Sequence, residues 1–320
     1  MIDIVNEVKQ ADKRIHGHIR KTYLEHSASY VEKTGVDVFF KLENLQHTGS
    51  FKARGALNKV LSLSEKERER GVVTASSGNH GAATAFALSQ IDCSGIVFLP
   101  ENASPVKIDA IGRLGAEIRF HGTDSGKTEL AAIEFARKNN RTWVSPYNDA
   151  TIIGGQGTIG IELAEQHERL DAVFITVGGG GLISGVSAYL KTVWPDVKMI
   201  GVSPENSAVM MKSVAAGQIL DMASADTLSD GSAGGIEPGA ITFPLACDLV
   251  DQWVSVTEKE IATELREFMS LHHQMIEGAA AAAIAGFTKT AEQWQGKSVA
   301  IVICGANISL EKLAKVLAPE

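Results

Sequence analysis

The chain has 320 residues, 44% of them hydrophobic, with Lys+Arg 30 against Asp+Glu 38 and a net charge of −8. A chain of this length buries enough apolar surface to need no disulfide or metal for stability, and it is long enough for two subdomains. The acidic balance excludes a non-specific nucleic-acid binder, the apolar content excludes a disordered chain, and three widely spaced cysteines (Cys93, Cys247, Cys304) give neither a disulfide framework nor a zinc pattern.

At the N-terminus, MIDIVNEVKQADKRIHGHIR alternates charged and apolar residues and lacks the apolar core of a signal peptide, so a soluble cytoplasmic protein is expected. Residues 36–42 (VDVFFKL) predict a strand. The next segment, 48–55 (TGSFKARG), places Lys52 after a Gly-Ser turn at the start of a helix over 53–61. A lysine at a helix N-terminus is disfavoured as a cation by the helix dipole, and burial acts in the same direction, towards the neutral amine that forms imines. Residues 72–75 (VVTA) predict a strand that leads through the loop 76–81 (SSGNHG) into a helix over 82–90. That loop offers hydroxyls, an amide, an imidazole and helix-start N–H groups, which suit a carboxylate receptor and acid/base site; the same residues also suit a plain helix cap. A strand over 94–100, a helix over 106–114, a strand over 117–120 and a helix over 127–139 follow. The stretch 121–128 (HGTDSGKT) is one residue short of a Walker-type phosphate loop and is read as a helix start capped by Thr123, Asp124 or Ser125.

A second βα set begins after Tyr147. Residues 158–166 predict a helix and 172–177 (AVFITV) a strand, after which Gly178, Gly179, Gly180 and Gly181 open a helix over 182–191. Backbone N–H groups of such a turn converge on an anion, aided by the helix dipole. The dinucleotide fingerprint is missed, since Ser184 occupies the third glycine position counted from Gly179. A strand over 199–202 precedes a long Gly-, Ser- and Pro-rich loop, 227–241, of the length that usually carries function. A helix over 259–274 contains His272 and His273, which lack metal-ligand spacing; one is expected in the core and the other in solvent. The alanine run 278–286 is too short to cross a bilayer, and 298–303 predicts the last strand. Two βα sets predict two open sheets with a cleft between them, where ligands collect at the C-terminal strand ends.

Taken in order, the lysine turn, the Ser-x-Gly-Asn-His loop, Gly155-Gln156-Gly157, the glycine run and Gly305-Ala306-Asn307 resemble the serine/threonine dehydratase and serine racemase family of fold type II pyridoxal-phosphate enzymes. The similarity runs from about residue 20 to residue 309. It implies an α/β fold of two open parallel-sheet subdomains with pyridoxal 5'-phosphate in the cleft between them. Residues 1–54 and 148–320 would form the large domain and 55–147 a small mobile one. By the same resemblance Lys52 holds the cofactor as a Schiff base and later takes the α-proton, and Phe51 lies against the ring. Asn79 bonds the ring hydroxyl, and Ser76, Ser77, Asn79 and His80 surround the substrate. Gly178, Gly179, Gly180 and Gly181 hold the phosphate, and Cys304 stands beside the pyridine nitrogen, where relatives usually carry serine. Either side chain is a weak partner for that nitrogen, so the ring is a poorer electron sink and elimination is favoured over transamination.

Ser77 stands where dehydratases of the family often carry alanine and racemases carry serine, which implies some protonation of the substrate's second face. The segment that holds divalent ligands in some relatives is here 203–209 (SPENSAV), with one carboxylate, so no metal is expected. Too few residues follow Cys304 for the family's allosteric domain, and isoleucine feedback is not expected. The implied activity is dehydration and deamination of L-threonine or L-serine to a 2-oxo acid and ammonia. Serine racemisation and threo-3-hydroxyaspartate dehydration are the alternatives; the second wants a cation for the distal carboxylate, which the sequence does not identify. The expected partner is a small amino acid, not nucleic acid or membrane, and the expected assembly is a homodimer.

Overall fold

Strands built almost wholly of Val, Ile, Phe and Ala must be covered on both faces, and this requirement sets the architecture. The computed structural model describes residues 2–91 and 93–318. Its ten strands are β1 (Leu24–His26), β2 (Asp37–Lys41), β3 (Val72–Ala75), β4 (Gly95–Leu99), β5 (Glu117–Phe120), β6 (Thr142–Trp143), β7 (Ala172–Thr176), β8 (Lys198–Pro204), β9 (Gln252–Val256) and β10 (Ser298–Val302). They form a six-stranded sheet in the order β1-β2-β10-β7-β8-β9 and a four-stranded sheet in the order β5-β4-β3-β6. All pairings are parallel except that of β1 with β2, which adds an antiparallel edge to the larger sheet. β4 and β7 are buried at every position. β10, late in the chain, lies in the interior of its sheet between β2 and β7.

Several elements begin earlier than the residue pattern predicts. The helix expected over 158–166 runs Ala150–Gln166 and so takes in Gly155-Gln156-Gly157. Glycine ordinarily weakens a helix, but here it lets two backbones meet. A Cβ on Gly157 would stand 2.8 Å from the carbonyl oxygen of Gly185, and one on Gly185 would overlap the Ile153 carbonyl. The helix expected over 82–90 runs Asn79–Ser89, which puts Asn79 and His80 in its first turn. The Walker-like stretch is a helix start capped by Asp124, whose carboxylate accepts the Lys127 N–H at 2.8 Å. His272 stacks on Phe268 with 4.7 Å between ring centres, while His273 is exposed.

A buried ion cluster fastens the helix Lys52–Leu61 to the larger sheet. Arg54 is fully buried. Its Nε and Nη2 donate to the two Glu43 carboxylate oxygens at 2.8 Å each, and its Nη1 and Nη2 donate to Glu162 at 2.7 and 3.0 Å. Lys41 donates to Glu162, to the Thr22 carbonyl at 2.9 Å and to Gln166 Oε1 at 2.9 Å. Although burial works against the charge, Glu43 and Glu162 raise Arg54 above its ordinary value. Two cations and two anions cancel, so the cluster is tolerated without water provided no member is lost. Arg54→Met strands two carboxylates with one lysine and is expected to remove about 3–5 kcal/mol of unfolding free energy. Urea unfolding checks this; a loss below about 1 kcal/mol would make the cluster incidental.

Candidate active site

The helices that begin at Lys52, Asn79 and Gly181, and the helix Gly278–Thr290 that Glu277 precedes, all start at the wall of one cleft. The cleft encloses about 1470 Å³ and also receives the C-terminal strand ends of both sheets, at Ala75, Pro100, Thr176 and Cys304. Unpaired N–H groups and the positive ends of the helix dipoles therefore converge on it, an arrangement that attracts anions.

Lys52 lies in this cleft, half-buried by area yet ringed by protein. Its Nζ donates to the Pro146 carbonyl at 2.7 Å and stands 5.2 Å from the centre of the Phe51 ring. Burial lowers its pKa to about 8, against the opposing pull of Cys304, Glu277 and Glu129. The turn before it is zipped to the end of β10. Phe51 N–H donates to the Cys304 carbonyl at 3.0 Å and Ala306 N–H to the Gly49 carbonyl at 2.9 Å.

The four glycines line the same cleft. A Cβ on Gly178 would stand 2.7 Å from the Ser232 carbonyl oxygen, and one on Gly179 would overlap the Tyr147 ring. Gly180 has φ +85°, in the left-handed region that glycine adopts without strain. Beside it, Thr242 holds a buried hydroxyl with no partner among the described residues. The turn has no room for side chains and presents backbone to whatever binds there.

In the serine loop, Ser76 Oγ accepts the Gly78 N–H at 3.1 Å. Ser77 lines the cleft, and its hydroxyl engages nothing among the described residues. His80 also lines the cleft, with its ring held by the protein. It is buried, and its Nε2 lies 3.0 Å from the Val144 carbonyl; since a carbonyl only accepts, Nε2 carries the hydrogen. Burial first, and Lys52 second, push its pKa down to about 3. The imidazole is neutral and committed to the protein, so it provides no cation for a carboxylate.

Asn79 Nδ2 donates to both carboxylate oxygens of Glu277 at 3.0 Å, and its Oδ1 accepts from Asn307 Nδ2 at 2.6 Å. Cys304 is buried, which raises its thiol pKa well above the ordinary value, and its Sγ lies 3.8 Å from Glu277 Oε1. Glu277 is thus a central residue of the site that sequence reasoning missed. It precedes a run of alanines without polar–apolar period, which hides both the helix and the residue just before it. Tyr147 and Glu129 also line the cleft; burial and then Glu237 raise Glu129 to about 7. The long glycine-rich loop reaches the cleft through Asp230, Ser232 and Gly235. Among the described residues no group of three or more His, Cys, Asp or Glu could hold a metal ion, and no helix is long and apolar enough to cross a membrane.

A family profile described as pyridoxal-phosphate dependent enzyme matches residues 15–305. Over 313 residues the chain is 38% identical to an L-threonine ammonia-lyase of Thermotoga maritima, covering 98% of this chain and 78% of that protein. The solved structure of processed threonine deaminase isoform 2 from Solanum lycopersicum is similar with TM-score 0.92 and 32% identity, covering 98% of this chain and 93% of that one. Maize serine racemase is similar with TM-score 0.91 and 29% identity, covering 97% and 95%. The site fits that cofactor: a turn stripped of side chains for a phosphate, an orphaned hydroxyl beside it, and a depressed lysine in the same cleft.

The Lys52 shift predicts its own titration. In protein freed of cofactor, acylation of Lys52 followed by mass spectrometry is expected to reach half its limiting rate near pH 8, not near the ordinary 10.5. The neutral amine is the reacting form, so labelling rises as pH rises through that value.

Proposed function

The chain belongs to the fold type II family of pyridoxal-phosphate-dependent enzymes, and from that premise we propose that it dehydrates and deaminates L-threonine or L-serine to a 2-oxo acid and ammonia. The observation that carries this reading is the placement of Lys52, lowered by burial to about 8, and a side-chain-free glycine turn in one cleft. Pyridoxal phosphate, when bound, supplies the carbonyl that captures the amino group and the ring that accepts electrons.

The protein's own groups do the rest. Gly178, Gly179, Gly180 and Gly181 offer N–H groups and a helix dipole to the phosphate. Phe51 would form one wall for the ring, and Cys304, kept as an uncharged thiol by burial, would stand at the ring nitrogen. Asn79, fixed by Glu277 and Asn307, would serve the ring hydroxyl. Ser76, Ser77 and the first N–H groups of the Asn79–Ser89 helix receive the substrate carboxylate. His80 contributes by anchoring that turn through Val144 rather than by charge. Lys52 would hold the cofactor's aldehyde and serve as the base for the α-proton, since its amine passes to the neutral form as pH rises through about 8.

Dehydration ranks first because the Thermotoga and Solanum proteins that the chain resembles are named for acting on threonine. Racemisation is the second reading, favoured by the unengaged Ser77 hydroxyl at the cleft wall. Hydroxyaspartate is less favoured. Lys107 and Arg113 line the cleft, but the formal charges acting on Lys52 are those of Glu277 and Glu129, with Glu237 acting on Glu129, and acidic neighbours oppose a second carboxylate. The reading extends to a cytoplasmic homodimer whose small unit, residues 55–147, moves over bound substrate; its separate four-stranded sheet supports such independence.

Supplied with pyridoxal phosphate, the protein is expected to release 2-oxo acid from L-threonine and L-serine. Lys52→Ala should lose activity on the order of 10³-fold or more, together with the borohydride-trapped cofactor on residue 52. For Ser77→Ala, exchange of the D-serine α-proton should fall about 10²-fold while elimination from L-threonine persists. Equal exchange by variant and wild type would remove Ser77 from the second face.

A further inference from the structure

Glu277 is 3% exposed, and among the described residues its carboxylate is held by uncharged donors. Asn79 from the opposing helix donates to both oxygens at 3.0 Å, Asn307 N–H donates at 3.1 Å, and the Cys304 thiol approaches Oε1 at 3.8 Å. The residue is tied down by its own N–H, which donates to the Gly305 carbonyl at 3.0 Å. Two glycines make room for it: a Cβ on Gly305 would stand 2.7 Å from Oε1, and one on Gly231 would stand 3.2 Å from it. Asp230, on the turn Asp230–Ser232, also acts on it electrostatically but is itself paired with Lys312 at 2.7 Å. Lys52 feels it from across the cleft. A carboxyl so placed is coupled to the groups that face the cofactor rather than to the scaffold.

We propose that Glu277 is a positioning residue that acts through Cys304 on the ring nitrogen of bound pyridoxal phosphate, its charge deciding which way the thiol hydrogen points. This rests on the functional reading above, in which Cys304 faces that nitrogen. A thiol has one hydrogen to donate. When Glu277 is ionised, it attracts that hydrogen, turns the sulfur lone pairs to the ring and favours a proton on the nitrogen. When Glu277 is protonated, the thiol hydrogen is free for the nitrogen, which then stays unprotonated. The charged state thus gives the better electron sink. Burial, the largest influence, raises Glu277 to about 7 against the lowering effect of Asn79, so the two arrangements exchange near neutrality.

The test is an absorbance titration of the cofactor-loaded protein without substrate, from about pH 6 to 9. Wild type is expected to show a spectral transition with a midpoint near 7. Glu277→Gln and Cys304→Ala should lose it, while Cys304→Ser, whose hydroxyl donates and accepts in the same place, should keep it. A Glu277→Gln protein with the wild-type midpoint overturns the proposal. Should that variant not load with cofactor, the cysteine variants decide, and identical curves for Cys304→Ala and Cys304→Ser overturn it equally. A wild type that takes up no pyridoxal phosphate overturns the functional reading itself, whereas normal uptake with an unmoved midpoint in Glu277→Gln overturns this inference alone.

Discussion

The site depends on how a buried guanidinium is neutralised two residues from the lysine. Arg54 satisfies five donor positions largely through Glu43 and Glu162, and Lys41 completes the balance. Buried charges of this kind add little net stability compared with apolar packing, but they define geometry sharply, because any misplaced member is left unpaired. The first turn of the lysine helix is therefore fixed in position relative to β2 and to the Ala150–Gln166 helix. Fixing that turn fixes the direction in which Lys52 leaves it. On its other side the same turn is stitched to the end of β10, so the amine is constrained from two independent directions.

A second theme is the suppression of charge. Burial lowers Lys52 and His80, raises the Cys304 thiol, and raises Glu277 and Glu129. Each shift favours the uncharged form of its group, while the helix N-termini retain their partial positive character. A bound phosphate and a substrate carboxylate would then meet weakened opposition from Glu277 and Glu129, and Lys52 would offer its neutral amine as pH rises through about 8. Desolvation, the first-ranked cause in every one of these cases, does this work without dedicated counter-ions.

Much of this was legible in the residues. Strands of β-branched and aromatic residues announced themselves by period and composition, and the side-chain-free turn, the lysine turn and the serine loop were recognisable because each breaks a local rule of helix or strand. What stayed hidden did so for definable reasons. Helix Ile4–Ile15 buries Ile4, Val8, Ala11 and Ile15, but its dense charges read as surface. Helix Gly278–Thr290 is buried on all sides, so it lacks the polar face that periodicity detects, and Glu277 went unnoticed with it. Gly155 and Gly157 fall outside the helix expected over 158–166 because glycine's cost in a helix is a local quantity, whereas the close approach that offsets it is a tertiary one. His80 shows the same limit, since whether an imidazole faces ligand or core depends on a carbonyl 64 residues away.

The position of β10 has a consequence for biosynthesis. The strand that closes the middle of the larger sheet leaves the ribosome after both of its neighbours, and the backbone partner of Phe51 lies at its end. Until then β2 and β7 have no common neighbour, and the lysine turn lacks one of its two anchors. A nascent chain can build the smaller sheet early but cannot complete the pocket, so acquisition of the vitamin-derived group is postponed until β10 has been made. Long-range closure of this kind is slow in isolation, and it makes the docking of β10 the step that commits the polypeptide to becoming an enzyme.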